Sequence, residues 1–156
     1  MTRATMGAVV WLLTACGASE RVAPERPPGN AVEHWQRKLG GRVQDCGNAR
    51  QGVQDETCAV QRVFECLHGA LEVCRPAHGV WYSLTGEGDA VRTDYFVADK
   101  SGACVYVVIE DRSTDPLAKP PVVERECRSA SWTPQPAQPS CQVLSPVDCG
   151  RAAHGP

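Results

Sequence analysis

Long apolar runs are missing from this chain. The longest, residues 6–13, holds eight residues, far short of the roughly 20 that a membrane-spanning helix needs. Aromatic residues make up only 6% of the chain, and its 16 basic residues are offset by 18 acidic ones for a formal charge of -2. No basic stripe or aromatic-rich groove stands out, so nucleic acid is not expected as a partner. Catalytic signatures are absent too: no G-x-S-x-G elbow, no H-E-x-x-H, no phosphate-binding glycine loop and no dinucleotide fingerprint. No C-x-x-C or His-x-x-x-His pair occurs, and cysteine spacings of eight residues fit no zinc module, so neither a metal nor a cofactor is expected.

What the chain does have is cysteine: nine in 156 residues. Nine is odd, so one sulfur is left over from any full pairing. With room for one domain of about a hundred foldable residues, covalent staples would add usefully to a small core. Such a density of cysteine points to an oxidising compartment.

The leftover cysteine is expected in the first sixteen residues. A positive end with Arg3 is followed by the apolar stretch and then by the small residues Thr14 and Ala15 directly before Cys16. This is the layout of an export signal. Leu13, Thr14, Ala15 and Cys16 resemble the lipobox of bacterial lipoproteins. The resemblance covers only the leader. It implies cleavage before Cys16, a diacylglyceryl thioether on its sulfur, and an acylated, palmitate-type amino group. Two or more acyl chains anchor stably where one is marginal. Gly17, standing where an aspartate would imply inner-membrane retention, implies the outer membrane, with the rest of the chain in the periplasm or at the cell surface.

The expected organisation is a signal over residues 1–15, a lipid-anchored linker over 16–30, a single domain over 31–132, and a proline-rich tail over 133–156. Cleavage removes Arg3 and leaves 15 basic against 18 acidic residues, too mild a charge for docking on anionic lipid. Within the domain, Asn30 and Glu33 suggest a capping box for a helix of about nine residues, with Val32, Trp35 and Leu39 at helical spacing and a stop at Gly40 and Gly41. A helix that short must dock to persist. A longer helix is expected from an Asp55 N-cap, with Ala59, Val60, Val63, Phe64, Leu67 and Leu71 on one stripe. Gly69 weakens it, and Arg75-Pro76 ends it at the latest.

Strand patterns follow over residues 80–84, 91–98 and 104–109, and a last one over 122–127. Turn-rich residues 86–89 and the loop 99–102 separate the first three. Residues 104–109, CVYVVI, are apolar on both faces and read as a central strand. The prolines of 111–121 belong to a loop. The expected fold is α+β: one short and one longer N-terminal helix packed on one side of a three- to four-stranded antiparallel sheet, stapled by disulfides.

With Cys16 given to lipid, Cys46, Cys58, Cys66, Cys74, Cys104, Cys127, Cys141 and Cys149 remain, an even set that allows four bridges. Sequence does not choose among the roughly one hundred connectivities. Cys104 and Cys127 bound two strands that can pair, and Cys141 and Cys149 enclose a short loop. In an unbroken helix Cys58, Cys66 and Cys74 climb about 12 Å per step, beyond the roughly 7 Å limit between bridged α-carbons. If Gly69 ends the helix, Cys66-Cys74 and Cys46-Cys58 follow; otherwise Cys46 takes one helix cysteine and the others reach the strands. The first arrangement is the expected one.

Candidate chemistry is sparse. Asp94, Asp99, Glu110 and Asp111 could line one end of the sheet, and a carboxylate pair with separated pKa values can do acid-base work. Glu110 and Asp111 are adjacent, however, and adjacent strand residues point to opposite faces. Residues 86–89 lack the ligands of a calcium loop. His34, His68, His78 and His154 are scattered. Trp81, Tyr82, Tyr95, Phe96 and Tyr106 fall on neighbouring strands and form the candidate binding face. The expectation is a noncatalytic envelope domain that binds an envelope protein or wall component, a hydrolase inhibitor being a variant of it. The competing class is a small envelope hydrolase using the carboxylates.

Overall fold

A computed structural model describes residues 28–51, 58–135 and 138–151. The leader, Cys16, most of the expected linker, Asp55 and His154 lie outside them. In chain order the elements are α1 (Pro28–Leu39), β1 (Gln44–Arg50), α2 (Ala59–Glu72), β2 (Ala77–Leu84), β3 (Ala90–Lys100), β4 (Ala103–Asp111), β5 (Val122–Gln135) and β6 (Gln138–Arg151). The strands form one six-stranded sheet in sequential order, β1 through β6. β1 runs parallel to β2, and every later pairing is antiparallel.

This corrects the expected three- to four-stranded antiparallel sheet with both helices ahead of it. The sheet is mixed and larger, β1 stands between the helices in the chain, and the helices lie on opposite faces. The parallel pair arises because α2 acts as the crossover from β1 to β2, the connection parallel strands require. β1, QDCGNAR, has no strand pattern to read. Gly47 at φ 80° interrupts its register between Asp45 and Asn48, and its apolar burial rests on Ala49 and the half-buried Cys46.

Among the described residues, the tail expected from residue 133 onward is sheet instead. β5 continues to Gln135 and β6 returns along it. Beyond Cys127, β5 has no β4 partner, so Pro134 sits where one side of β5 is already an edge, and Pro146 sits in the last strand of the order. Proline is tolerated at edges because no ladder donor is needed there.

Strand alternation assigns the core. On one face α2 lays Val60, Val63, Phe64 and Leu67 against Ala77, Tyr95, Val97, Tyr106, Val108, Cys127 and Leu144. Phe64 and Leu67 are fully buried, each contributing roughly 1.5–3 kcal/mol. On the other face α1 packs Ala31 and Trp35 against Phe96, Ala98, Val107 and Ile109. The central placement of β4 follows: Tyr106 and Val108 face α2, while Val107 and Ile109 face α1.

Helix ends differ from expectation by a few residues. α1 begins at Pro28, so Asn30 is inside it, and Gly40 at φ 69° closes it with its N–H bonded to the Arg37 carbonyl at 3.2 Å. α1 docks through Trp35, whose ring stacks on Phe96 at 6.5 Å and whose Nε1 donates to Glu124 Oε1 at 2.7 Å. α2 starts after Cys58 and runs through Gly69 to Glu72, because burial of Leu67 and Ala70 on either side of the glycine outweighs its roughly 1 kcal/mol propensity cost. The loop between β3 and β4 is a two-residue turn with Ser101 and Gly102 both at positive φ, the geometry that matches strand twist.

Candidate functional site

The α2 face of the sheet is only partly covered by its helix. Toward the β2–β3 turn and the β4–β5 loop the same face opens into a cleft of about 430 Å³, with Trp81 of β2, Thr93 and Tyr95 of β3, Glu110 of β4 and Arg125 of β5 among its walls. Arg112 and Asp115 of the β4–β5 loop and Glu87 of the β2–β3 turn also line it. Register explains the gathering. Glu110 is opposite Thr93 and Thr93 is opposite Trp81, so the three share one face across three strands.

The apolar wall continues the core. Phe64 of α2 meets the Trp81 ring edge-on at 6.0 Å and the Tyr95 ring at 5.0 Å, and Tyr95 stacks on Tyr106 at 5.7 Å. Burial, with the charge of Glu110 added, pushes the Tyr95 phenol well up, so it remains a neutral hydroxyl. The polar wall is a clamp. The Glu110 side chain is 13% exposed, and both its oxygens accept from guanidinium groups: Oε1 from Arg112 Nε, and Oε2 from Arg125 Nη2 at 3.0 Å. Two other cleft donors, Trp81 Nε1 and Arg125 Nε, are buried with no acceptor among the described residues.

A second polar cluster lies on the α1 face. Asp94, 1% exposed, accepts from Arg92 Nε at 2.7 Å and Nη2 at 2.9 Å, and its Oδ1 is 2.9 Å from His78 Nε2. The His78 ring stacks on Phe96 at 4.4 Å. Burial pushes the Asp94 carboxyl up, but hydrogen bonds from His78 and Arg92 and their charge outweigh it, and the group sits below the usual carboxylate range. Its bond to Asp94 in turn raises Arg92.

The four candidate carboxylates therefore do not converge. Asp94 and Glu110 are on opposite faces of the sheet. Asp99 caps the hairpin by accepting from the Gly102 N–H at 2.7 Å, and Asp111 accepts from the Ser113 N–H at 2.9 Å. Residues 86–89 close a turn, with the Gly88 N–H on the Thr85 carbonyl and the Asp89 N–H on Thr85 Oγ1.

The candidate binding face of five aromatics is also corrected. Trp81, Tyr95 and Tyr106 face α2, whereas Tyr82 and Phe96 are on the α1 face, since each adjacent pair splits across the strand. Tyr95, Phe96 and Tyr106 are buried, leaving Trp81 as the more exposed of the two aromatic side chains, with Tyr95, that line the cleft. His34 packs edge-on to Trp35, and His68 lies beside Trp132 and Glu72 on the polar side of α2.

Disulfide bonds are present, but in other pairings. Cys46–Cys66 joins β1 to α2, Cys58–Cys141 joins the start of α2 to β6, and Cys127–Cys149 crosses from β5 to β6. Each expected pair fails for a geometric reason. Cys104-Cys127 fails because Cys127 is opposite Tyr106 on one side and Cys149 on the other. Cys141-Cys149 fails because both belong to β6, where eight residues of strand span about 27 Å. Cys66-Cys74 fails because α2 does not end at Gly69, and Cys46-Cys58 fails because Cys66, not Cys58, faces β1.

Sequence reasoning missed three cleft and cluster residues: Arg112, Arg125 and the role of His78. A signal existed for Asp94. It shares a strand face with Phe96 and Ala98, and a carboxylate among apolar neighbours needs a cation, which Arg92 supplies from two residues away on the same face. Nothing local ties Arg125 to Glu110, since their juxtaposition depends on β4–β5 register.

No family model, no curated protein and no solved structure matches this chain.

Proposed function

We propose that this chain is a lipid-anchored lipoprotein of the bacterial outer membrane whose domain is a noncatalytic binding module. It takes an envelope protein or a wall component in the cleft of the α2 face. The reading rests on one observation: that cleft sets the Trp81 ring beside the charged side chains of Glu87, Glu110, Arg112, Asp115 and Arg125. An aromatic wall flanked by charged and polar groups suits a ligand that offers both an apolar face and hydrogen-bonding groups. The clamp on Glu110 supports binding over acid-base work, because both carboxylate oxygens are already occupied by guanidinium donors. Its lining mixes Glu87, Glu110 and Asp115 with Arg112 and Arg125, which favours a polar ligand of little net charge.

The test is retention of an envelope component by the immobilised full chain, compared with Trp81→Ala and Arg112→Ala in the cleft and His78→Ala on the far face. Retention lowered about tenfold or more by the cleft changes, roughly 1.4 kcal/mol, and kept by His78→Ala is the expected result. Equal retention by all three variants would reject the cleft as the binding site.

A further inference from the structure

Cys74 and Cys104 carry free thiols, and the fold brings them to one place from two directions. Cys74 follows the last turn of α2 in a left-handed conformation at φ 50°, unusual for a residue other than glycine. Its N–H bonds to the Leu71 carbonyl at 3.3 Å, and its Sγ reaches toward β3, 3.9 Å from the Ala98 carbonyl oxygen. Cys104, near the start of β4, is opposite Asp99, and its Sγ reaches back to the Leu71 carbonyl at 3.6 Å. Cys74 Sγ thus lies against β3 next to Asp99, the residue opposite Cys104, and Cys104 Sγ lies against the last turn of α2 that leads into Cys74, so the two thiols converge. We propose that Cys74 and Cys104 are an oxidation site, closing as a fourth disulfide that joins the end of α2 to the β3–β4 hairpin.

The position completes a pattern. Cys58–Cys141 secures the start of α2 and Cys46–Cys66 its middle, while no covalent bond among the described residues secures its end. The oxidant is a disulfide, either a small molecule such as oxidised glutathione or a protein cystine. One cysteine thiolate attacks an oxidant sulfur, forming a mixed disulfide and expelling one thiolate. The second cysteine thiolate attacks the protein sulfur of that mixed disulfide, forming the Cys74–Cys104 bond and expelling the other. The two cysteine sulfurs give up two electrons, the oxidant's disulfide takes them, and the two protons end on the released thiols. Burial, with the Cys74 thiol and the Asp99 charge adding to it, pushes the Cys104 thiol up to about 12. Whichever thiol attacks first, Cys104 must lose that proton, so closure quickens as pH rises through the alkaline range.

The experiment treats the reduced-at-this-site full chain with oxidised glutathione, caps remaining thiols with iodoacetamide, and maps a non-reduced digest by mass spectrometry. The expected result is a linked Cys74–Cys104 peptide, formed faster in alkali, with Tm raised roughly 5–15 °C over a Cys74→Ser/Cys104→Ser double variant. The three other bridges stay unchanged in both. Capping of both thiols despite treatment, glutathione left on either cysteine without linkage, or a bond from Cys74 or Cys104 to a different cysteine would overturn the proposal. The digest reads the bond directly, so instability of the double variant does not obscure the outcome.

Discussion

Asp94 shows how a single buried charge is kept in place. Its carboxylate is held below the usual range by Arg92 and His78 despite burial. A native carboxylate with a lowered pKa adds stability that is fully present above the unfolded value of about 3.9 and is lost as pH falls through the native value. Asp94→Asn is expected to destabilise the fold by about 2 kcal/mol near neutral pH, since it removes charge-assisted bonds and leaves Arg92 without its acceptor. Urea unfolding at several pH values checks this. The gap between parent and variant should begin to narrow as pH falls below about 4 and close below the native value; a gap that persists unchanged in acid would mean that packing, not charge, is what Asp94 contributes.

Among elements, the contact between α2 and β2 is set by a residue with no side chain. A Cβ at Gly79 would come within 2.9 Å of Val63 Cγ1 and 3.2 Å of Leu67 Cδ1, both on α2. Valine is stiff at its branch, so the helix itself would have to move. Gly79→Ala is expected to cost about 1–3 kcal/mol, read as a lower midpoint in urea with secondary structure kept by circular dichroism. The sequence patterns located α2 and the β2–β4 run well, because each has a stripe or alternation of apolar residues long enough to show a period. β1 and β6 were not legible. Their order comes from neighbouring strands and from Cys46–Cys66, Cys58–Cys141 and Cys127–Cys149, and such partners are distant in the chain.

For the whole molecule, attachment and binding are separate matters. The proposed anchor rests on residues 13–16 and the proposed cleft on residues spread from Trp81 to Arg125, so each can be removed without the other. Cys16→Ser is expected to release the protein from membranes and to block lipid-dependent processing while the folded domain keeps its circular dichroism and Tm. Membrane fractionation reads the outcome, and a variant that stays membrane-bound like the parent would reject the lipid assignment. Most of the candidate site was not legible for the same reason as the outer strands. Glu110 stood out as a carboxylate, but its clamp by Arg125 needed β4–β5 register, and Trp81 was legible only as an aromatic on a strand, not as the one that stays open to a cleft.

The amino-acid sequence by itself determined the cysteine-rich character of the domain, the apolar stripe of its second helix, the apolar central strand and the motif at Cys16. These are local properties, carried by composition or by periods of two and 3.6 residues. The tertiary structure decided which cysteines meet, on which faces the helices lie, and how Asp94 and Glu110 came to be separated by the sheet. Those outcomes depend on strand register and on the end points of α2, where a shift of one residue turns every side chain to the opposite face, and no local pattern in the chain encodes such a choice.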